Sequence, residues 1–430
     1  MKKTIIKGEG IEMSLAISEK DKMILRETAK EQMEFANSET NRKKIKAWYK
    51  HNACQGESPL IHLEIDTFEQ EILPMFMKCE GEEARKIEHQ LYRNFLNAKL
   101  FEDDKVVPDY FGVPYESWFT LFGINVHVEK AKEADSVGHH FVEVIGDLEE
   151  DYGKIGKTDF GVKKEESEKR ADALREIFQD VIPVRMKMDG LYSVPTQMIV
   201  HIISMENMMF NMYDYPELFK KMMDTIAEDT LAYYRYLEKE GVILPTTAFE
   251  WVGQGSAAFT RELPGEEEWK KRPFTTKDVW GFMDSQETVG ISPEMYEEFI
   301  FPCYKKISEQ YGMLSYGCCE PVDPIWDNCI SKLENLRKVS ISPWCQEEIM
   351  GERLRGSKVI FHRKPSPNYL GVGDKLDEEG FRAHIRKSIL AARGCEMEIT
   401  QRDVYTINHD IDKAHRYVQI IREEIEKNWR

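Results

Sequence analysis

Short apolar runs alternate with long amphipathic stretches along most of this chain. Ser58-Pro59-Leu60-Ile61-His62-Leu63-Glu64-Ile65 follows a Gly/Pro break and reads as a strand. Seven further runs have the same character: Trp118–Phe122 (continued by Ile124–Val126), Val184–Met188, Thr246–Trp251, Leu314–Cys319, Leu336–Ser342, Lys358–His362 and Cys395–Thr400. Between them, segments such as 165–180, 294–311, 377–393 and 411–428 space their apolar residues near the helical period. Ser292-Pro293-Glu294 is a helix start, with a hydroxyl for the cap and proline at the first helical position. Upstream of the first run, residues 17–55 are rich in Glu, Lys, Met, Ala and Gln and predict helix, with Ser18 as N-cap.

Eight strand-like runs with helical connections predict an α/β fold, a (β/α)8 TIM barrel with an N-terminal helical extension. The extension covers residues 1–56 and the barrel 57–430. An open doubly wound sheet would give a similar alternation. No GxGxxG or GxxxxGK[ST] loop is present, so nothing in the pattern points to a nucleotide.

Composition narrows the partners. With 430 residues, 41% of them hydrophobic and 11% aromatic, a large core can form. A net charge of −18 disfavours a nucleic-acid footprint and binding to anionic membranes. The most apolar stretch, Met198–Ser204, is too short to span a bilayer. Met1–Gly8 has charge but no apolar signal region, so a cytoplasmic location is expected. Eight cysteines without a CxxC pair are no disulfide framework. Six of them fall between Cys303 and Cys395, which directs attention to the second half.

There, Ser315-Tyr316-Gly317-Cys318-Cys319-Glu320-Pro321 puts two sulfurs and a carboxylate where a strand ends. In a parallel barrel that end carries the chemistry. Zinc accepts cysteine sulfur, histidine nitrogen and carboxylate oxygen, so Cys318, Cys319 and Glu320 are the candidate metal ligands. Further ligands could come from other strand ends: Glu250, Cys345, His362 or Asp403. Glu250, His362 and Asp403 are also the candidate catalytic residues. A thiol bound at the open metal position would lose its proton and become a nucleophile at neutral pH. His362-Arg363-Lys364 reads equally as an anion-binding run and as a salt-bridged loop. Asp189 at a strand end could face a ligand. Cys329 and Cys395 are expected in the core, Cys345 in loop packing, His139-His140 at the surface, and the Met205–Met212 run in the core.

The C-terminal half resembles the uroporphyrinogen decarboxylase superfamily. The likeness rests on the Val289–Pro302 helix entry with its Ile-Ser-Pro-Glu, the Leu314–Trp326 strand and turn, Ile341-Ser342-Pro343-Trp344, and the last strand leading into Asn408–Arg422. Met205-Glu206-Asn207 through Tyr215-Pro216-Glu217-Leu218 adds to it. The resemblance implies the barrel. Within it, corrinoid-linked methyltransferases bind zinc through His-x-Cys and a later Cys, and move a methyl group between a methyl-corrinoid and a thiol. Tyr316-Gly317-Cys318 or Gly317-Cys318-Cys319 falls on His-x-Cys without the His, and Thr400-Gln401-Arg402-Asp403 stands where the later Cys would be. The expectation is a zinc methyltransferase with a small-molecule methyl donor or acceptor. A corrinoid would be supplied by a partner protein, because no Asp-x-His-x-x-Gly motif is present. A metal-free decarboxylase of a tetrapyrrole acid is the alternative, disfavoured by the acidic Asp66–Glu71 loop after the first strand. A non-catalytic binder of a corrinoid protein or small ligand is the third reading.

Overall fold

The computed structural model describes residues 15–130 and 139–429; the Met1–Gly8 stretch read above lies outside them. The strands, in chain order, are β1 Leu60–Leu63, β2 Phe111–Pro114, β3 Ser117–Thr120, β4 Val128–Lys130, β5 His139–Phe141 and β6 Asp159–Val162. They continue with β7 Val184–Lys187, β8 Leu191–Ser193, β9 Trp280–Met283, β10 Met313–Tyr316, β11 Leu336–Ile341, β12 Ile360–Arg363 and β13 Met397–Gln401. Seven of them form one parallel sheet in the order β1-β13-β12-β11-β10-β9-β8. Helices connect the later strands, so this is a mixed α/β fold.

A closed eight-stranded barrel is not what the described strands form. Val184–Met188, expected in the main sheet, pairs instead with β2 as a separate parallel pair. Trp118–Phe122 yields β3, which pairs antiparallel with β6. Thr246–Trp251 forms no strand. Its Glu250 carboxylate accepts a hydrogen bond from the Ala248 amide at 2.7 Å, and Trp251 bridges back to Ala257 in a tight loop. Side-chain-to-backbone bonds of this kind compete with a ladder. The outer edge of β1 is occupied by two carboxylates: Asp104 accepts from the Ile61 amide at 2.8 Å and Asp103 from the Leu63 amide at 2.9 Å.

The N-terminal extension is helical as expected, Glu19–Ala36 and Glu39–Asn52, and Ser18 caps the first helix by accepting from the Asp21 amide. Ser292 likewise caps the helix opening at Pro293. The first helix buries Leu25 and Ala29 with Ile87, Leu91, Leu174 and Phe178. The second reaches the main sheet through His51, whose ring nitrogens lie 2.8 Å from Glu396 and 2.9 Å from Glu398. Glu398 also meets the buried Lys338 ammonium at 3.1 Å and His362 at 3.2 Å. A cluster of paired charges thus fills the sheet interior, where an unpaired one would be costly.

Candidate functional site

The chemistry-bearing side chains collect beyond the C-terminal ends of the parallel strands. β10 ends at Tyr316, and Gly317 turns the chain with φ +96°. A Cβ there would stand 3.0 Å from the Ser340 Cβ, so only glycine lets the turn press against β11. The turn delivers Cys318 and Cys319 side by side, with Sγ atoms 3.4 Å apart. Past β13, Asp403 takes a left-handed conformation and places a carboxylate oxygen 3.5 Å from the Cys319 sulfur. Arg402, its neighbour, reaches 3.6 Å from the Cys318 sulfur and pairs with Glu64 at 3.3 Å. Past β12, the buried Lys364 ammonium donates to the Gly317 carbonyl.

Two sulfurs in contact share their protons unequally. The hydrogen-bonding contact with Cys318 holds Cys319 below the usual thiol range, helped by Lys364 and Arg402 and opposed by burial and Asp403. Cys318, the more buried thiol, is pushed well up by its contact with Cys319 and by burial. Cys319 is therefore the more acidic thiol of the pair.

Glu320 does a different job from the one expected. Its carboxylate, 2% exposed, accepts from the Ser285 amide at 3.0 Å and the Cys318 amide at 2.9 Å, and so ties the loop after β9 to the loop after β10. Beneath this tie, Tyr316 and Tyr296 hydroxyls contact Ser285 and each other. The tie fixes Asp284, 1% exposed, whose two oxygens have no hydrogen-bond partner in the protein. Burial, with Glu320 and Cys318 nearby, pushes its carboxyl well above the usual range.

Of the expected residues, Cys318, Cys319 and Asp403 come together. Glu250 does not join them. It is buried beside the Tyr110 hydroxyl and the Ala248 amide. His362 lies within β12, between Glu398 and Thr400, and burial pushes its imidazole down to about 3. Among the described residues no group of three or more His, Cys, Asp and Glu is arranged to hold a metal ion. In the expected Cys318–Cys319–Glu320 set, each Glu320 oxygen already accepts from a backbone amide. Asp284 was not read from the sequence. It follows Trp280–Met283, a strand of only four residues with Gly281 inside it, which the apolar pattern does not mark.

Arg402, which reaches the Cys318 sulfur, also lines a cavity of about 790 Å³ together with Tyr192. Tyr110, Trp251 and Phe249 line it, together with Lys86, Arg93, Lys105 and Lys187. Glu64, Asp66 and Asp189 are its carboxylates. The acidic loop after β1 is largely neutralised. Asp66 and Glu69 pair with Arg93, and Glu71 accepts from the Ile407 and His409 amides. Cys329 and Cys395 are buried as expected, and Cys345 packs with its sulfur 3.4 Å from the Val322 amide. His140 is exposed at the edge of the described residues, and Met208 and Met212 are core.

No protein-family model matches the chain, and no curated protein matches it. A solved methyltransferase from Methanosarcina mazei is similar over 78% of this chain and 84% of its own, at 11% identity and a TM-score of 0.40. A likeness that loose carries no argument about function.

Proposed function

We propose that this chain is a methyltransferase whose reacting centre is the Cys318–Cys319 pair and whose acceptor is a thiol bound in the adjoining cavity. One observation carries the reading: a sulfur pair 3.4 Å apart, with Arg402 and Lys364 beside it, at the C-terminal ends of parallel strands. The Cys319 thiolate takes the proton of the acceptor thiol. Arg402 and Lys364 stabilise the acceptor thiolate so formed. Its sulfur attacks the methyl group of the donor in line. The new S–C bond forms as the methyl's bond to the donor breaks, and that electron pair leaves with the donor. A methyl-corrinoid, brought by a partner protein, is the donor class this reading favours. No step is routed through zinc, because among the described residues no group of three or more His, Cys, Asp and Glu is arranged to hold a metal ion.

The metal-free decarboxylase reading has one observation in its favour. Five cationic side chains line the cavity against three carboxylates, in a chain of net charge −18. The two readings separate on a simple assay. Methylcobalamin is mixed with a small thiol, and its absorbance is followed with and without the protein. Protein-dependent loss of the methylcobalamin spectrum with formation of the methyl thioether supports methyl transfer. No acceleration, with carbon dioxide released from an added polycarboxylic pyrrole, supports the decarboxylase. Neither activity, with a corrinoid protein or small ligand still bound, leaves the non-catalytic binder.

A further inference from the structure

The cavity contains two polar groups with unused hydrogen-bonding capacity, and they flank one indole. The Lys105 ammonium has three donors. It gives one to the Arg93 carbonyl at 2.7 Å and one to the Asn97 side-chain oxygen at 3.3 Å. No carboxylate comes within ion-pair distance of it among the described residues. Its nitrogen lies 5.6 Å from the Trp251 ring centre, and burial pushes it down to about 8. The other cavity cations are satisfied: Arg93 by Asp66 and Glu69, Lys187 by Asp189, Arg402 by Glu64, Lys86 by Glu82.

His62, 4% exposed, stacks on the same indole with ring centres 5.0 Å apart. Its Nδ1 lies 2.9 Å from the Gly255 carbonyl, which can only accept. Nδ1 therefore carries the proton and Nε2 is a lone-pair acceptor. Nε2 is buried with no partner. Gly255 makes the contact possible. It has φ +82°, and a Cβ there would lie 2.4 Å from Thr400 and 3.2 Å from His62. One loop thus supplies both Trp251 and the carbonyl that fixes the tautomer of His62.

We infer that this part of the cavity binds a small monocarboxylate carrying a neighbouring hydroxyl or N–H donor, its carboxylate on Lys105 and its donor on the Nε2 of His62, over Trp251. A single unpaired ammonium matches a single negative charge. Glu64, Asp66 and Asp189 on the same wall are already paired with Arg402, Arg93 and Lys187, so those cations are not free to hold a second negative charge. The inference rests on the reading of the cavity as the substrate site and names the group that the methyl acceptor carries there.

The test is calorimetric titration of the whole protein with three matched probes: mandelate, phenylacetate (no hydroxyl) and benzyl alcohol (no carboxylate). Mandelate binds best. Phenylacetate and benzyl alcohol each lose roughly tenfold or more, the worth of one hydrogen bond to a charged or buried group. Inorganic phosphate gives no heat. Lys105→Gln removes most of the affinity for both acids and leaves benzyl alcohol unchanged. His62→Phe makes mandelate and phenylacetate equal. Lys105→Gln keeps one donor for the Arg93 carbonyl, so it guards against a His62 variant that fails to fold. Equal affinity of wild type and Lys105→Gln for mandelate would overturn the inference, as would phosphate binding tighter than mandelate, or no binding of either acid at millimolar concentration. Binding does not depend on turnover. Cys319→Ser that binds mandelate normally supports the carboxylate site even where methyl transfer is absent. Methyl transfer by a protein that ignores both acids overturns only the carboxylate site.

Discussion

Replacing Arg402 with methionine tests the electrostatics of the thiol pair. The guanidinium stands 3.6 Å from the Cys318 sulfur, and its side chain is 15% exposed. A unit charge at that distance is worth about 1 kcal/mol in water and about 4 to 5 kcal/mol at an effective dielectric of about 20. The titrating group, Cys319, is the next sulfur along, 3.4 Å from that of Cys318, so the effect on it is smaller, about 1 to 2 kcal/mol. The substitution also frees the carboxylates of Glu64 and Asp403, which Arg402 pairs at 3.3 and 3.4 Å. Lost positive charge and unmasked negative charge both disfavour the thiolate, so the sign is not in doubt. Iodoacetamide labelling across a pH series, read by peptide mass spectrometry, reports Cys319 apart from the partly exposed Cys54. The midpoint for Cys319 moves to higher pH in Arg402→Met, and labelling at neutral pH slows. A midpoint that stays put or moves down would refute the electrostatic account of the pair.

Three further outcomes follow from the packing. Glu398→Gln leaves the Lys338 ammonium buried without its counter-charge and costs about 3 kcal/mol in urea unfolding; a change below about 1 kcal/mol would show that the cluster is not what holds this region. Against burial, which pushes it up, Lys338, His362 and His51 hold the Glu398 carboxyl well below the usual range. Its contribution is present above the ordinary carboxylate range and fades as pH falls through the lowered value, so the gap between wild type and variant narrows in acid. His51 is raised despite burial by Glu396 and Glu398. Its contribution is complete below the ordinary histidine range and is lost as pH rises through the raised value. Limited proteolysis of the Glu39–Asn52 helix therefore accelerates at alkaline pH in wild type, and a His51→Phe variant is cleaved at an elevated rate at every pH. Gly255→Ala forces a side chain onto Thr400 at a positive φ and lowers stability by about 1 to 3 kcal/mol, measured by thermal unfolding.

The later strands were legible because β10 to β13 are short stretches that mix apolar or β-branched residues with polar ones between turns. Trp280–Met283 was missed because Gly281 interrupts a run of only four residues. Thr246–Trp251 was misread for the opposite reason. Threonine and aromatic residues favour strands, yet the Glu250 carboxylate folds back on its own backbone. The site divides in the same way. Cys318, Cys319 and Asp403 could be named because residue type and strand end coincide. Glu320 could not be told from a ligand, because its partners are backbone amides of another loop. Asp284 and the Lys105–His62 pair come together through strand order, which spacing along the chain does not encode.

The central claim is that Cys319 takes part in methyl transfer. Its most direct test is the rate of thiol-dependent methylcobalamin demethylation by Cys319→Ser, set beside Cys395→Ser as a buried cysteine remote from the strand ends. The account predicts that Cys319→Ser loses at least about a hundredfold, the range of a general base, while Cys395→Ser keeps the wild-type rate. Equal rates in wild type and Cys319→Ser would contradict it.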